Sequence, residues 1–220
     1  MSTPTGTPHI QPFALGDFQT NCFIVTDGHP EPGKSCWIVD CGYQPAPLLD
    51  AVEQQQLKPE RIVLTHAHAD HMAGLFDARS KFPDAKILIH PLEESWLNDP
   101  VLNLSAALGL AITGPTPDGY LNHDDTLTLD SLTFRIAHTP GHSPGSVSLI
   151  HEPSHTALVG DTLFNGSIGR TDFPGSSFEQ LEASIKENLY TLDPETTCYP
   201  GHGPKTKVGH ERVTNPFVSG

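Results

Sequence analysis

Residues 61–71 read Arg61-Ile62-Val63-Leu64-Thr65-His66-Ala67-His68-Ala69-Asp70-His71. The apolar run RIVL (61–64) has the make-up of a strand covered on both faces. It gives way to four metal-ligand side chains within six residues: His66, His68, Asp70 and His71. In an extended chain His66 and His68 project to the same side. Once the chain turns into the helix that MAGLFDA (72–78) begins, Asp70 and His71 can face a neighbouring point. The small Ala67 and Ala69 let the backbone come close to an ion. Such a cluster can serve two metal ions.

Other strand-like runs flank this one: CFIV (22–25), CWIV (36–39), KILI (86–89), LTFRI (132–136), SVSLI (146–150) and TALV (156–159). Helical patterns alternate with them. Segment 46–57 follows Pro45 and places Leu48, Leu49, Val52 and Leu57 on one side. Segment 178–192 spaces Phe178, Leu181, Ile185, Leu189 and Leu192 as one stripe, with Ser177 and Gln180 as a capping box and Glu182–Lys186 as an exposed pair. The alternation predicts an α/β fold with a meander over 125–159. Segment 91–124 reads as a short helix (91–97) and a charge-free stretch, either a lid over a site or a packed connector. The expected organisation is a single domain over 10–220 behind a loose tail, 1–9.

Three more runs end in a candidate ligand. LTFRIAHTPG leads to His142, TALVG to Asp161 and TTCYPG to His202. In α/β sheets ligands bind beyond the strand ends, so four such segments predict one convergent site. The other eight histidines lack this context and read as surface or turn residues.

Composition narrows the partners. Twelve Lys+Arg against 26 Asp+Glu give a formal net charge of -14, which opposes nucleic-acid and anionic-membrane binding. No apolar run is long enough to span a bilayer. The start, MSTPTGTPHI, lacks a basic head and an apolar region, so a cytoplasmic location is expected. Four cysteines without CxxC spacing read as reduced thiols.

The segments THAHADH (65–71), TPGHSPGS (139–146), GDTLFNGSIGRTDFPG (160–175), GHGP (201–204), VGHER (208–212) and NPF (215–217) resemble the metallo-β-lactamase-fold hydrolases, in particular the short glyoxalase II-like thioester hydrolases. The resemblance implies a four-layer αβ/βα sandwich with a dinuclear metal site at one edge. It implies one ion held by His66, His68 and His142, a second by Asp70, His71 and His202, and Asp161 as the bridge. An all-nitrogen-and-oxygen donor set suits zinc first, and also iron or manganese. The implied activity is hydrolysis of small thioesters such as S-2-hydroxyacylglutathione by a metal-activated hydroxide, with Asp70 as the catalytic carboxylate.

Asp161 stands where the zinc β-lactamases commonly carry Cys or Ser, which weighs against an antibiotic substrate. Arg170 occupies a position similar to the family's glutathione contact; its alternative role is a salt bridge with Asp172. Asp40, at the end of CWIVD, resembles a position that supports the site from a turn. The GRTDF segment (169–173) is also like that of the persulfide dioxygenases, which share the fold and use one non-haem iron; that activity is the alternative.

Overall fold

The computed structural model describes residues 6–220. Its first sheet has the order β1-β2-β3-β4-β5-β6, formed by Pro8–Leu15, Thr20–Asp27, Ser35–Val39, Lys58–Val63, Lys86–Ile89 and Gly119–Tyr120. The first three strands are antiparallel neighbours, and β3 to β6 run parallel. The second sheet contains β7 (Thr126–Leu129), β8 (Leu132–His138), β9 (Val147–His151) and β10 (Thr156–Gly160) as the expected antiparallel meander. A short hairpin, β11 (Leu163–Phe164) and β12 (Ser167–Ile168), follows. β13 (Thr197–Pro200) then joins β10 in parallel, and β14 (Thr206–Lys207) closes the edge.

Strand alternation produces the layers. In β2, Phe23 and Val25 point between the sheets, while Cys22 and Ile24 point outward. In β3, Trp37 and Val39 point inward, opposite Cys36 and Ile38. The second sheet contributes Phe134, Ile136, Leu149 and Leu158 to the same inner layer, with the Trp37 and Phe134 rings 5.5 Å apart. Both faces of each sheet are therefore apolar, and helices must cover the outer ones. α1 (Ala46–Gln54), α2 (Ala69–Met72) and α3 (Leu75–Lys81) cover the first with Leu48, Val52, Met72 and Leu75. α4 (Phe178–Ser184) and α5 (Val208–Thr214) cover the second with Leu181 and Val208. The result is the four-layer αβ/βα sandwich.

Several local expectations change. The tail of 1–9 is too long: β1 begins at Pro8 because His9 and Ile10 pair with Thr26 and Val25, while residues 1–5 lie outside the described residues. The 178–192 stripe is α-helical only to Ser184 and continues as a π-helical turn, Ile185–Leu189. The turn keeps Ile185 and Leu189 in the core, whereas Phe178 stays partly exposed. The Ser177 cap and the Glu182–Lys186 pair form as expected. The 91–97 helix is instead two 3-10 turns, Pro91–Glu93 and Ser95–Asn98.

The two sheets are stitched together where β4, β8, β10 and β13 end. The Val147 amide donates to the Thr65 carbonyl at 2.8 Å, and the Asn21 amide to that of Gly201 at 2.7 Å.

Candidate metal centre

Each strand end delivers its ligand by a different local device. His66 follows β4 directly, His68 is the extended residue before α2, and Asp70 and His71 sit in that helix's single turn. His142 lies in the turn after β8. Gly141 there has φ +134° and its α-carbon faces the backbone of Leu181 in α4, so a side chain at this position would collide with the helix. Gly201, before His202, packs directly on Asp161 and His71, again with no space for a β-carbon.

All seven predicted ligands come together. Donor atoms of His66, His68 and His142 lie within 4.8 Å of one another, as do those of His66, His71 and Asp161, and those of Asp70, His71 and His202. Asp161 stands between the outer groups. Its Oδ1 is 3.4 Å from His71 Nε2, and its Oδ2 is 3.5 Å from both His142 Nε2 and His202 Nε2. His68 presents Nδ1, 2.9 Å from His142 Nε2, with the Trp96 and Phe173 rings 5.7 Å from its own.

A surrounding set of hydrogen bonds fixes these side chains. Asp40 is buried and left-handed (φ +59°), a conformation that Asp tolerates better than most residues. It accepts from the Thr65 amide and hydroxyl at 2.8 and 2.7 Å, and its Oδ2 lies 2.8 Å from His71 Nδ1. The support expected of Asp40 thus acts through His71. Thr20 donates to Asp70 at 2.8 Å. His142 Nδ1 lies 2.9 Å from the Arg170 carbonyl, and His202 Nδ1 lies 3.2 Å from that of Phe18. Occupying one ring nitrogen in this way aims the other at the cluster.

The electrostatics favour a cation at the centre. Burial, reinforced by the neighbouring histidines, pushes His66 far below the usual histidine range. Burial and His142 hold His68 at about 3. Both rings are therefore neutral at pH 7 with a lone pair to offer. Burial raises Asp161, but His71, His142 and His202 outweigh it and hold it at about 2. Asp70 behaves alike, its burial outweighed by His71, His202 and Thr20. Burial also opposes charge on His71, yet Asp70, Asp161 and Asp40 raise it well above the usual value. His66 Nε2, His71 Nε2 and Asp161 Oδ1 are buried without a hydrogen-bond partner. Each such atom costs about 1–3 kcal/mol when left unpaired. Buried carboxylates and unpaired donors converging on common points fit metal ions.

Glu93 has no signal in the sequence. It is fully buried; its Oε2 accepts from the Ala67 amide at 2.6 Å and its Oε1 from the Gly145 amide at 2.7 Å. One carboxylate thereby ties the His66–His71 segment to the His142 turn. Glu211, in VGHER, plays a structural part: it is buried and accepts from Thr206, Gly166 and Asn215. His90 and His151 are buried rather than on the surface, and neither joins the cluster. The four cysteines are free and buried.

A cavity of about 690 Å³ opens above the cluster. Segment 91–124 supplies one wall through Val101, Leu104 and Leu108, so it is neither a bare connector nor detached from the site. Arg170 also lines the cavity, but its guanidinium donates twice to Asp172, at 2.9 and 2.7 Å, and lies 4.3 Å from the Phe173 ring centre.

The chain is similar to known proteins. The chain is 33% identical over 220 residues to the hydroxyacylglutathione hydrolase GloC of Haemophilus influenzae, covering 96% of this chain and 98% of that protein. The structure of the BLEG-1 B3 metallo-beta-lactamase superposes with a TM-score of 0.89 at 38% identity, covering 96% of this chain and all of that one. TTHA1623, solved in a di-iron-bound form, superposes with a TM-score of 0.83 at 37% identity, covering 94% of this chain and all of that one. Residues 15–202 match the metallo-beta-lactamase superfamily, and the chain belongs to it.

Proposed function

We propose that this protein is a two-metal hydrolase of small thioesters. His66, His68 and His142 would hold one ion, Asp70, His71 and His202 the other, and Asp161 would lie between them. The di-iron form of TTHA1623 supports two ions. Such ions supply a water that ionises near neutral pH and a Lewis acid for the carbonyl oxygen.

The chain's own residues do the rest. Asp70, fixed by Thr20 and held as a carboxylate, accepts a hydrogen bond from the attacking water and orients it. Asp40 and Glu93 keep the ligand segments in register. The leaving group decides the substrate class. The cavity lining carries no carboxyl or phenol besides Asp70 and Asp161, so no separate acid is at hand to protonate an amide nitrogen. A thiolate, with a conjugate-acid pKa of about 8.5, leaves without one. The similarity to GloC supports the same class. The four reduced, buried cysteines agree with a cytoplasmic setting.

The observation that carries this reading is the convergence of seven donor residues from four strand ends, with a buried, unpaired atom on each of His66, His68, His71 and Asp161. The test is metal analysis of the purified protein beside an S-lactoylglutathione assay. Two ions per chain and a turnover abolished in His66→Ala are expected. One iron per chain with thiol-dependent oxygen uptake would establish the persulfide dioxygenase reading instead. Hydrolysis of a β-lactam without hydrolysis of any thioester would also overturn the proposal.

A further inference from the structure

The cavity above the cluster is carbon-rich and short of free positive charge. Outside the ligand set, Asn103 and Arg170 are the lining's only polar side chains, and Phe18, Val101, Leu104, Leu108, Phe164 and Phe173 are its large apolar ones. Phe18, Val101 and Leu108 keep large apolar surfaces exposed. The wall is held in place rather than left loose. Asn103 is fully buried, its amide donating to the Trp96 and Ile112 carbonyls, both at 3.0 Å, while its oxygen accepts from the Ser105 amide and hydroxyl. The Ala69 amide donates to the Asn103 carbonyl at 2.8 Å, joining the wall to the ligand segment. Leu104 is left-handed at φ +69°, a costly conformation for a branched side chain, and it lines the cavity. A strained backbone that presents a leucine to the cavity marks the apolar wall as a built feature.

The polar inventory points the same way. Arg170 is the cavity lining's sole Lys or Arg, and Asp172 occupies its guanidinium on two nitrogens. Asn103 has both amide hydrogens engaged. A glutathione thioester carries two carboxylates, and here they would meet a neutralised arginine on a chain of net charge -14.

We infer that this site selects thioesters whose non-reacting part is uncharged and carbon-rich, and discriminates against glutathione thioesters. Apolar groups of the substrate pack against Leu104, Leu108 and Val101 while the thioester carbonyl reaches the ligand cluster. The Arg170–Asp172 pair closes the position through which an anionic thiol would otherwise be recognised. This inference rests on the thioester-hydrolase reading.

The test compares kcat/KM on the metal-loaded protein for three substrates: S-lactoylglutathione, S-lactoyl-N-acetylcysteamine and S-hexanoyl-N-acetylcysteamine. The first two share an acyl group and differ in the charge of the thiol; the last two share a thiol and differ in apolar area. The hexanoyl substrate should exceed S-lactoylglutathione by about tenfold or more, the scale of a few methylene contacts in an apolar pocket. Asp172→Asn, which frees the guanidinium, should raise S-lactoylglutathione relative to the hexanoyl substrate by about tenfold. Equal or better turnover of S-lactoylglutathione by the unaltered protein overturns the inference and leaves the thioester reading standing. An unchanged substrate ratio in Asp172→Asn overturns the part assigned to the arginine pair. Failure to hydrolyse all three overturns the thioester reading, and the inference with it.

Discussion

On the floor of the cavity, His71, His142 and His202 each have one ring nitrogen beside an oxygen acceptor, and Asp70 is held by the Thr20 hydroxyl. On the wall, Val101, Leu104 and Leu108 present only carbon. The floor is specified by directional bonds, so a shift of a few tenths of an ångström breaks something. The wall is specified by shape and apolar area, which tolerate exchange. Conserving chemistry and varying substrate place opposite demands on a site, and here they fall on separate segments.

Mutations can break or sharpen that contrast. The largest effect belongs to the floor: His66→Ala should lower kcat by more than about 1,000-fold on every substrate and reduce bound metal, read by elemental analysis. Next comes its support. Glu93→Gln leaves one of the Ala67 and Gly145 amides facing an amide donor. It should weaken metal affinity about 10- to 100-fold and cost about 2 kcal/mol of stability, read by metal titration and denaturant unfolding. An intact metal affinity would mean that Glu93 does not set the ligand geometry.

The wall should respond differently. Leu108→Ala should leave metal content unchanged and lower kcat/KM about fivefold for apolar thioesters only, as expected from loss of about 1 kcal/mol of apolar contact. A uniform loss over all substrates would erase the distinction between the two regions.

The smallest effect lies outside both. His90 stacks on His138 with ring centres 4.1 Å apart, and burial beside His138 lowers it to about 4. In the unfolded chain it titrates near 6.5, so the unfolded state binds the proton more readily between these values. Stability should therefore fall as pH drops from about 6.5 toward 4, and change no further from this group below that. His90→Asn keeps an acceptor for the Leu92 amide but cannot titrate. It should flatten the slope of Tm against pH in that window, with turnover at pH 7.5 as the comparison.

Much of this architecture can be read from the residues, for identifiable reasons. Strands such as CFIV and TALV are apolar on both faces because helices cover both sheets, and that pattern is local. The ligands are legible because each follows a strand within a few residues. Glu93 is not legible, since its partners Ala67 and Gly145 lie 26 and 52 residues away and nothing in PLEESW records them. The expected 91–97 helix forms instead as two 3-10 turns, the first capped by the His90 side chain, which accepts from the Leu92 amide. For segment 91–124 the sequence leaves a lid and a packed connector open, because its apolar residues look like core until the fold turns Val101, Leu104 and Leu108 toward the metal-binding edge. At Arg170 both sequence readings meet, because it lines the cavity and pairs with Asp172 two residues on.

The attachment of the wall at Asn103 has an evolutionary consequence. Residues 104–112 hang from that anchor and contribute no donor atom to the cluster. Between Ser105 and Ile112, which bond to the anchor itself, the loop bears no ligand, so an exchange confined to 106–111 can reshape what the site accepts while the catalyst is inherited whole.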